Sequence, residues 1–121
     1  NRHSGFRKNG ITKDMNYYKG SKLTTFIIPI TNEQYEKLNQ IHSNYCSSTP
    51  YDYAFIGMRC AAATQDILAQ IAVVKKRKGA KNIITTFYPK KLRKRMFKLA
   101  HKNNYQIIYQ EGRTTRKWER D

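Results

Sequence analysis

Acidic residues are scarce. The 121-residue chain has eight, against 24 Lys and Arg, for a net charge of +16. No acid lies between Asp66 and Glu111, although 12 of the 24 cations fall in that window. Part of the molecule should therefore carry a strong positive field. Such a field suits nucleic acid, anionic lipid or an acidic protein; a solvated Lys-rich face has the same composition. Cysteine is nearly absent. Cys46 and Cys60 lie 14 residues apart, with no CxxC pair and no His at ligand spacing, so no metal site is expected. Long apolar runs are also missing. Phe26-Ile-Ile-Pro-Ile30 is only strand-length, far short of the roughly 20 residues of a membrane span. The first eight residues contain no apolar core of a signal peptide. A chain that opens on Asn1 is expected to be a processed or trimmed product. No zinc finger, RNP-type aromatic signature, clear helix-turn-helix or internal repeat is present.

What is there has the size of one domain, residues 1–121. Residues 1–21 are polar and irregular, and 113–121 form a polar tail. Leu23–Ile28 reads as a strand, with Pro29 at its end. Thr31-Asn-Glu-Gln34 has the pattern of a capping box, which predicts a helix to about Tyr45. Its apolar stripe would be Tyr35, Leu38, Ile41 and either His42 or Tyr45. A breaker, Ser47-Ser-Thr-Pro50, and an extended piece from Tyr51 to Ile56 follow. The second helix is expected from Arg59 to Val74. Ala63, Ile67, Leu68, Ile71 and Val74 should be buried, Lys75–Lys78 should lie at its C-terminal end and Gly79 should stop it. Small Ala61–Ala63 should let another backbone approach. Asn82–Tyr88 reads as a strand or extended connector. Pro89 should open a third helix with the stripe Leu92, Met96, Leu99 and Ala100. Tyr105–Gln110 is a last strand. The sum is an α+β fold with about three helices on a small, mainly antiparallel sheet.

Cys60 is the sharpest candidate. It follows an aromatic, Gly-containing turn and falls in the first turn of the second helix. Unpaired amides and the positive end of the helix dipole there favour a thiolate, the nucleophilic form of cysteine. The alternative is a small buried apolar Cys. A nucleophilic Cys also needs a base, normally His, and the chain offers His3, His42 and His101. His42 falls beside an apolar stripe and His101 on a basic helix. Arg59 would favour the thiolate or hold a substrate carboxylate, unless it simply faces solvent. Tyr51 and Tyr53, with Phe55, alternate as a strand does and would line a cleft or pack the core. Trp118 would clamp the tail or offer a stacking surface. The basic surface comprises Lys75, Lys76, Arg77, Lys78, Lys91, Lys94, Arg95 and Lys98. Cys46 and Cys60 are expected as thiols, not as a disulfide.

The order of a strand, the segment Ile30-Thr-Asn-Glu-Gln-Tyr-Glu-Lys-Leu38, a Pro-Tyr-Asp-Tyr turn and Gly-Met-Arg-Cys60 at a helix start resembles the NlpC-type cysteine peptidases and amidases. These have a circularly permuted papain-like fold, and the likeness is to the branch that includes the bacterial Lnb N-terminal periplasmic domain. It covers roughly Gly5 to Val74. The resemblance implies Cys60 as nucleophile, a peptide or acyl-linked substrate, no cofactor and a bacterial envelope or periplasmic location. Arg59 stands where that family usually has asparagine. The family's base is a His on a strand preceding the segment that matches Gly5-Phe6. His3 would have to substitute, or a His preceding residue 1 serves, or the domain is inactive. His3 sits in a Gly-rich polar terminus and is expected not to act as the base in this form. The rival reading is a non-enzymatic basic module that binds nucleic acid, anionic lipid or an acidic partner.

Overall fold

The computed structural model describes residues 19–48, 50, 60–86 and 88–114. Its architecture is α+β, with strands β1 (Leu23–Ile27) and β2 (Gln106–Gln110) and helices α1 (Asn32–Ser47), α2 (Cys60–Gln70), α3 (Gly79–Thr85) and α4 (Pro89–Asn103). The chain divides into two compact units. The described part of the first lies within 30–93, and that of the second comprises 19–29 and 94–114.

In the first unit, α1 starts where its capping chemistry places it. The Gln34 amide donates to Thr31 Oγ1 at 3.1 Å, and the Thr31 amide donates to Gln34 Oε1 at 2.9 Å. Both satisfy amides that a helix start leaves without partners. The remaining Gln34 nitrogen donates to the Ile71 carbonyl at 2.7 Å, tying the start of α1 to the end of α2. Ile41 is buried on the expected stripe, and Leu38, His42 and Tyr45 are half-buried. Tyr35 departs from it and is 56% exposed.

Helix α2 is shorter than its apolar pattern predicts. It ends at Gln70, not Val74, because Ala72 turns into the left-handed region at φ 59°. The Val73 amide donates to the Leu68 carbonyl and the Ala72 amide to that of Ala69, the two bonds of a Schellman cap. Gly79 is therefore not its stop, and Lys75–Lys78 lie beyond the helix. The buried face is also rotated. Ala61, Ala62, Gln65 and Ile71 are buried, whereas Ala63, Ile67, Leu68 and Val74 are half-buried.

The segment expected as an extended connector is partly helical: α3 covers Gly79–Thr85. Tertiary hydrogen bonding overrides the poor helix propensity of its β-branched run. Asn82 Nδ2 donates to the Ala62 carbonyl at 2.9 Å, and Asn82 Oδ1 accepts from the Thr86 hydroxyl at 3.0 Å. Ala61 and Ala62, 3% and 0% exposed, are the small side chains that allow this approach.

Helix α4 begins at Pro89, as predicted, and crosses from the first unit into the second. In the second unit Met96 and Ala100 are buried and Leu99 is half-buried. Asn104 at φ 54° and the Tyr105 amide donating to the Ala100 carbonyl end the helix. Strands β1 and β2 then pair antiparallel, with Leu23 opposite Gln110 and Ile27 opposite Gln106. This register puts Thr24, Phe26, Ile107 and Tyr109 on one face. Phe26 meets Phe97 of α4 edge-on, with ring centroids 5.0 Å apart. On the other face Ile27 and Ile108 are 43% and 48% exposed.

Candidate functional site

Cys60 is the first residue of α2 and its side chain is exposed. The helix start beneath it is fixed from several directions. Ala61 and Ala62 are buried directly after it. The Ala62 carbonyl accepts from Asn82, and the Cys60 carbonyl accepts from the Thr64 hydroxyl at 2.8 Å. One turn on, Gln65 is 2% exposed and donates to the Lys75 carbonyl at 3.4 Å. The backbone next to the thiol is thus held by a buried hydrogen bond, from Asn82 to Ala62, while Cys60 itself is exposed. Cys46 is also exposed and is not joined to Cys60. It lies in the last turn of α1, so the chain carries two thiols at opposite kinds of helix end.

His3, Tyr51, Tyr53 and Arg59 lie outside the described residues, as do Phe55 and Trp118. Among the other histidines, His42 is half-buried on α1 and His101 is exposed on α4. His101 stacks on Phe97 at a centroid distance of 6.4 Å.

The basic residues divide by environment. Lys75, Lys76 and Lys78 are exposed on the irregular stretch after α2. Arg77 is half-buried, and its Nη1 donates to Thr85 Oγ1 at 3.4 Å, so it braces α3. On α4, Lys91, Lys94 and Lys98 are exposed, whereas Arg95 is half-buried and already engaged. The helix has no acid in its sequence and carries four basic pairs at i, i+4: Lys90–Lys94, Lys91–Arg95, Lys94–Lys98 and Lys98–Lys102. Each like-charge pair opposes the helix by roughly 0.2–0.5 kcal/mol. A bound anion would relieve that repulsion.

Sequence reasoning missed two groups. Asn82, Gln65 and Thr86 are buried polar residues (3%, 2% and 0% exposed) that position the start of α2. Phe97 and Tyr109 form a ring pair, 6.2 Å between centroids and 18° between planes, beside the basic side of α4. The pairing of a helix with a strand is nonlocal and leaves no spacing signal. No helix of the described residues is long and apolar enough to cross a membrane. Among those residues, no group of three or more His, Cys, Asp or Glu could hold a metal ion. No family model, curated protein or solved structure matches the chain.

Proposed function

We propose that the chain is a thiol hydrolase of the permuted papain-like class, with Cys60 as the nucleophile acting on an amide or related acyl bond. One observation carries this reading: an exposed cysteine is the first residue of α2, and the buried Ala61 and Ala62 and the Asn82 bond to the Ala62 carbonyl anchor the residues that follow it. The first amides of a helix have no intrahelical acceptors. They can stabilise the attacking sulfur and donate to the oxyanion that forms on the substrate carbonyl. The thiolate adds to the carbonyl carbon, the leaving group departs with a proton from a histidine, and a thioester remains. Water, deprotonated by the same histidine, releases the acid and restores Cys60. The histidines of the chain are His3, His42 and His101. The substrate class is a peptide, a cell-wall peptide or a lipid-linked acyl group.

Cys46 provides an internal reference for the test. Iodoacetamide alkylation of both thiols, followed by peptide mass analysis across pH 6–9, measures their relative reactivity. As the nucleophile, Cys60 is expected to react on the order of tenfold faster than Cys46 near neutrality. Equal rates, with neither above free cysteine, would overturn the nucleophile.

A second reading has its own support. The exposed lysines of α4, with no acid on the helix, make a basic module that docks on an anionic partner. The two readings are compatible, since such a face can hold an enzyme against its substrate surface.

A further inference from the structure

We infer that the aromatic row Tyr109–Phe97–His101, with Lys94 and Lys98 beside it, is a stacking surface for single-stranded nucleic acid. The inference deepens the basic-module reading and is independent of Cys60. All five residues belong to the second unit. Phe97 is the fixed centre of the row. It is half-buried, and Phe26 packs edge-on against it at 5.0 Å and 80°. Tyr109 and His101 each lie nearly parallel to it, at 6.2 Å and 18° and at 6.4 Å and 20°. Tyr109 is 60% exposed, and His101 is exposed one helical turn beyond Phe97. A large exposed ring aligned with an anchored one is a preoriented surface for a planar ligand.

The charge lies where such a ligand needs it. At 3.6 residues per turn, Lys94 falls between Phe97 and Lys98 around the helix, and both lysines are exposed. A row of rings bordered by ammonium groups matches unpaired bases linked by phosphates, because stacking accepts any base and the lysines follow the backbone. A duplex presents phosphates but keeps its base faces inside its own stack. It would meet only the lysines. An anionic membrane is a poorer fit. A helix that inserts at a lipid surface uses its apolar face, and here Met96 and Ala100 are buried.

The test uses the whole chain with a fluorescein-labelled mixed-sequence 15-mer, its duplex, and vesicles of phosphatidylcholine with phosphatidylserine. Fluorescence anisotropy is read for the oligonucleotides and sedimentation for the vesicles, at several salt concentrations. The single strand is expected to bind more tightly than the duplex. Tyr109→Ala should weaken single-strand binding on the order of tenfold without changing the salt slope, and Tyr109→Phe should retain it. Lys94→Gln combined with Lys98→Gln should reduce the salt slope by about 1.4, two phosphate contacts on a single strand. If duplex and single strand bind equally, or Tyr109→Ala binds as wild type does, stacking is overturned and the basic module stands. If neither strand form binds with salt dependence, the basic module falls as well for nucleic acid, and binding to vesicles alone would assign the face to lipid.

Discussion

The two units differ in what they bury. Besides the apolar Ile41, Ala61, Ala62 and Ile71, the first buries amide and hydroxyl side chains: Gln65, Asn82 and Thr86 are 2%, 3% and 0% exposed, and all belong to it. Among the described residues, the second buries only the apolar Met96 and Ala100, and it has ring contacts around Phe97 and a two-stranded backbone ladder. A buried polar group is costly when its partner is lost, because it then keeps its desolvation penalty without a hydrogen bond. Half-exposed rings are more forgiving, since water can reach what a truncation uncovers. The first unit should therefore respond to small polar changes, and the second to changes in backbone fit.

The largest effect should come from Asn82→Ala. Asn82 joins α3 to the first turn of α2 through Ala62 and also engages Thr86. Removing it leaves the Thr86 hydroxyl buried without that acceptor and deprives the Ala62 carbonyl of its second donor. The expected loss is about 2–4 kcal/mol, measured by urea unfolding. Asn82→Asp distinguishes shape from donation: it keeps the size but removes the donor to Ala62, and should be nearly as damaging. A loss below about 1 kcal/mol for both would break the contrast between the units. Because the same contact fixes the backbone under Cys60, Asn82→Ala should also lower the alkylation advantage of Cys60 over Cys46.

The backbone counterpart in the second unit is Gly112. A Cβ placed there would lie 2.6 Å from the Gly20 carbonyl oxygen and from the Lys22 nitrogen. Both atoms take part in the isolated parallel bridge between Ser21 and Arg113: the Lys22 amide donates to the Arg113 carbonyl at 3.2 Å, and the Arg113 amide donates to that of Gly20 at 2.8 Å. Gly112→Ala must push two chain segments apart, at a cost of roughly 1–3 kcal/mol. Amide hydrogen exchange at Lys22 and Arg113 should quicken together. Unchanged exchange at both positions would show that this bridge is not limited by backbone fit.

How much of this was legible in the sequence follows the same division. Elements whose boundaries are written in local chemistry were readable. Thr31 and Gln34 announced α1, Pro89 announced α4, and the pattern after Gly57 announced a helix that includes Cys60. Elements defined by distant partners were not. Ile83-Ile-Thr-Thr86 has the composition of a strand, but Asn82 secures a helical turn through its bond to the Ala62 carbonyl, 20 residues away, which no local rule contains. The lengths of the strands were clear, but their register brings Phe26 and Tyr109 to Phe97 only after four helices intervene. His3, Tyr51, Tyr53 and Arg59 lie outside the described residues, so the part of the candidate site legible in both sequence and structure is Cys60 with its helix.

The smallest effect concerns two helix ends. Helices α2 and α4 both close with a left-handed residue, Ala72 at φ 59° and Asn104 at φ 54°. Asparagine tolerates that region; alanine does not, because its Cβ crowds the following carbonyl. Ala72 explains why α2 overran its true end in the sequence pattern, since nothing about alanine signals a stop. It also locates a small strain. Ala72 is exposed, so its methyl group has little packing to lose. Ala72→Gly should then stabilise the protein by about 0.5–1 kcal/mol: relief of the left-handed penalty exceeds the added freedom that glycine gives the unfolded chain. Asn104→Gly should gain only a few tenths of a kcal/mol by the same argument. Urea midpoints for the two variants measure the difference. A loss of stability in Ala72→Gly would mean that the end of α2 is held by its Schellman bonds and by Gln34 on Ile71, with no strain left to relieve.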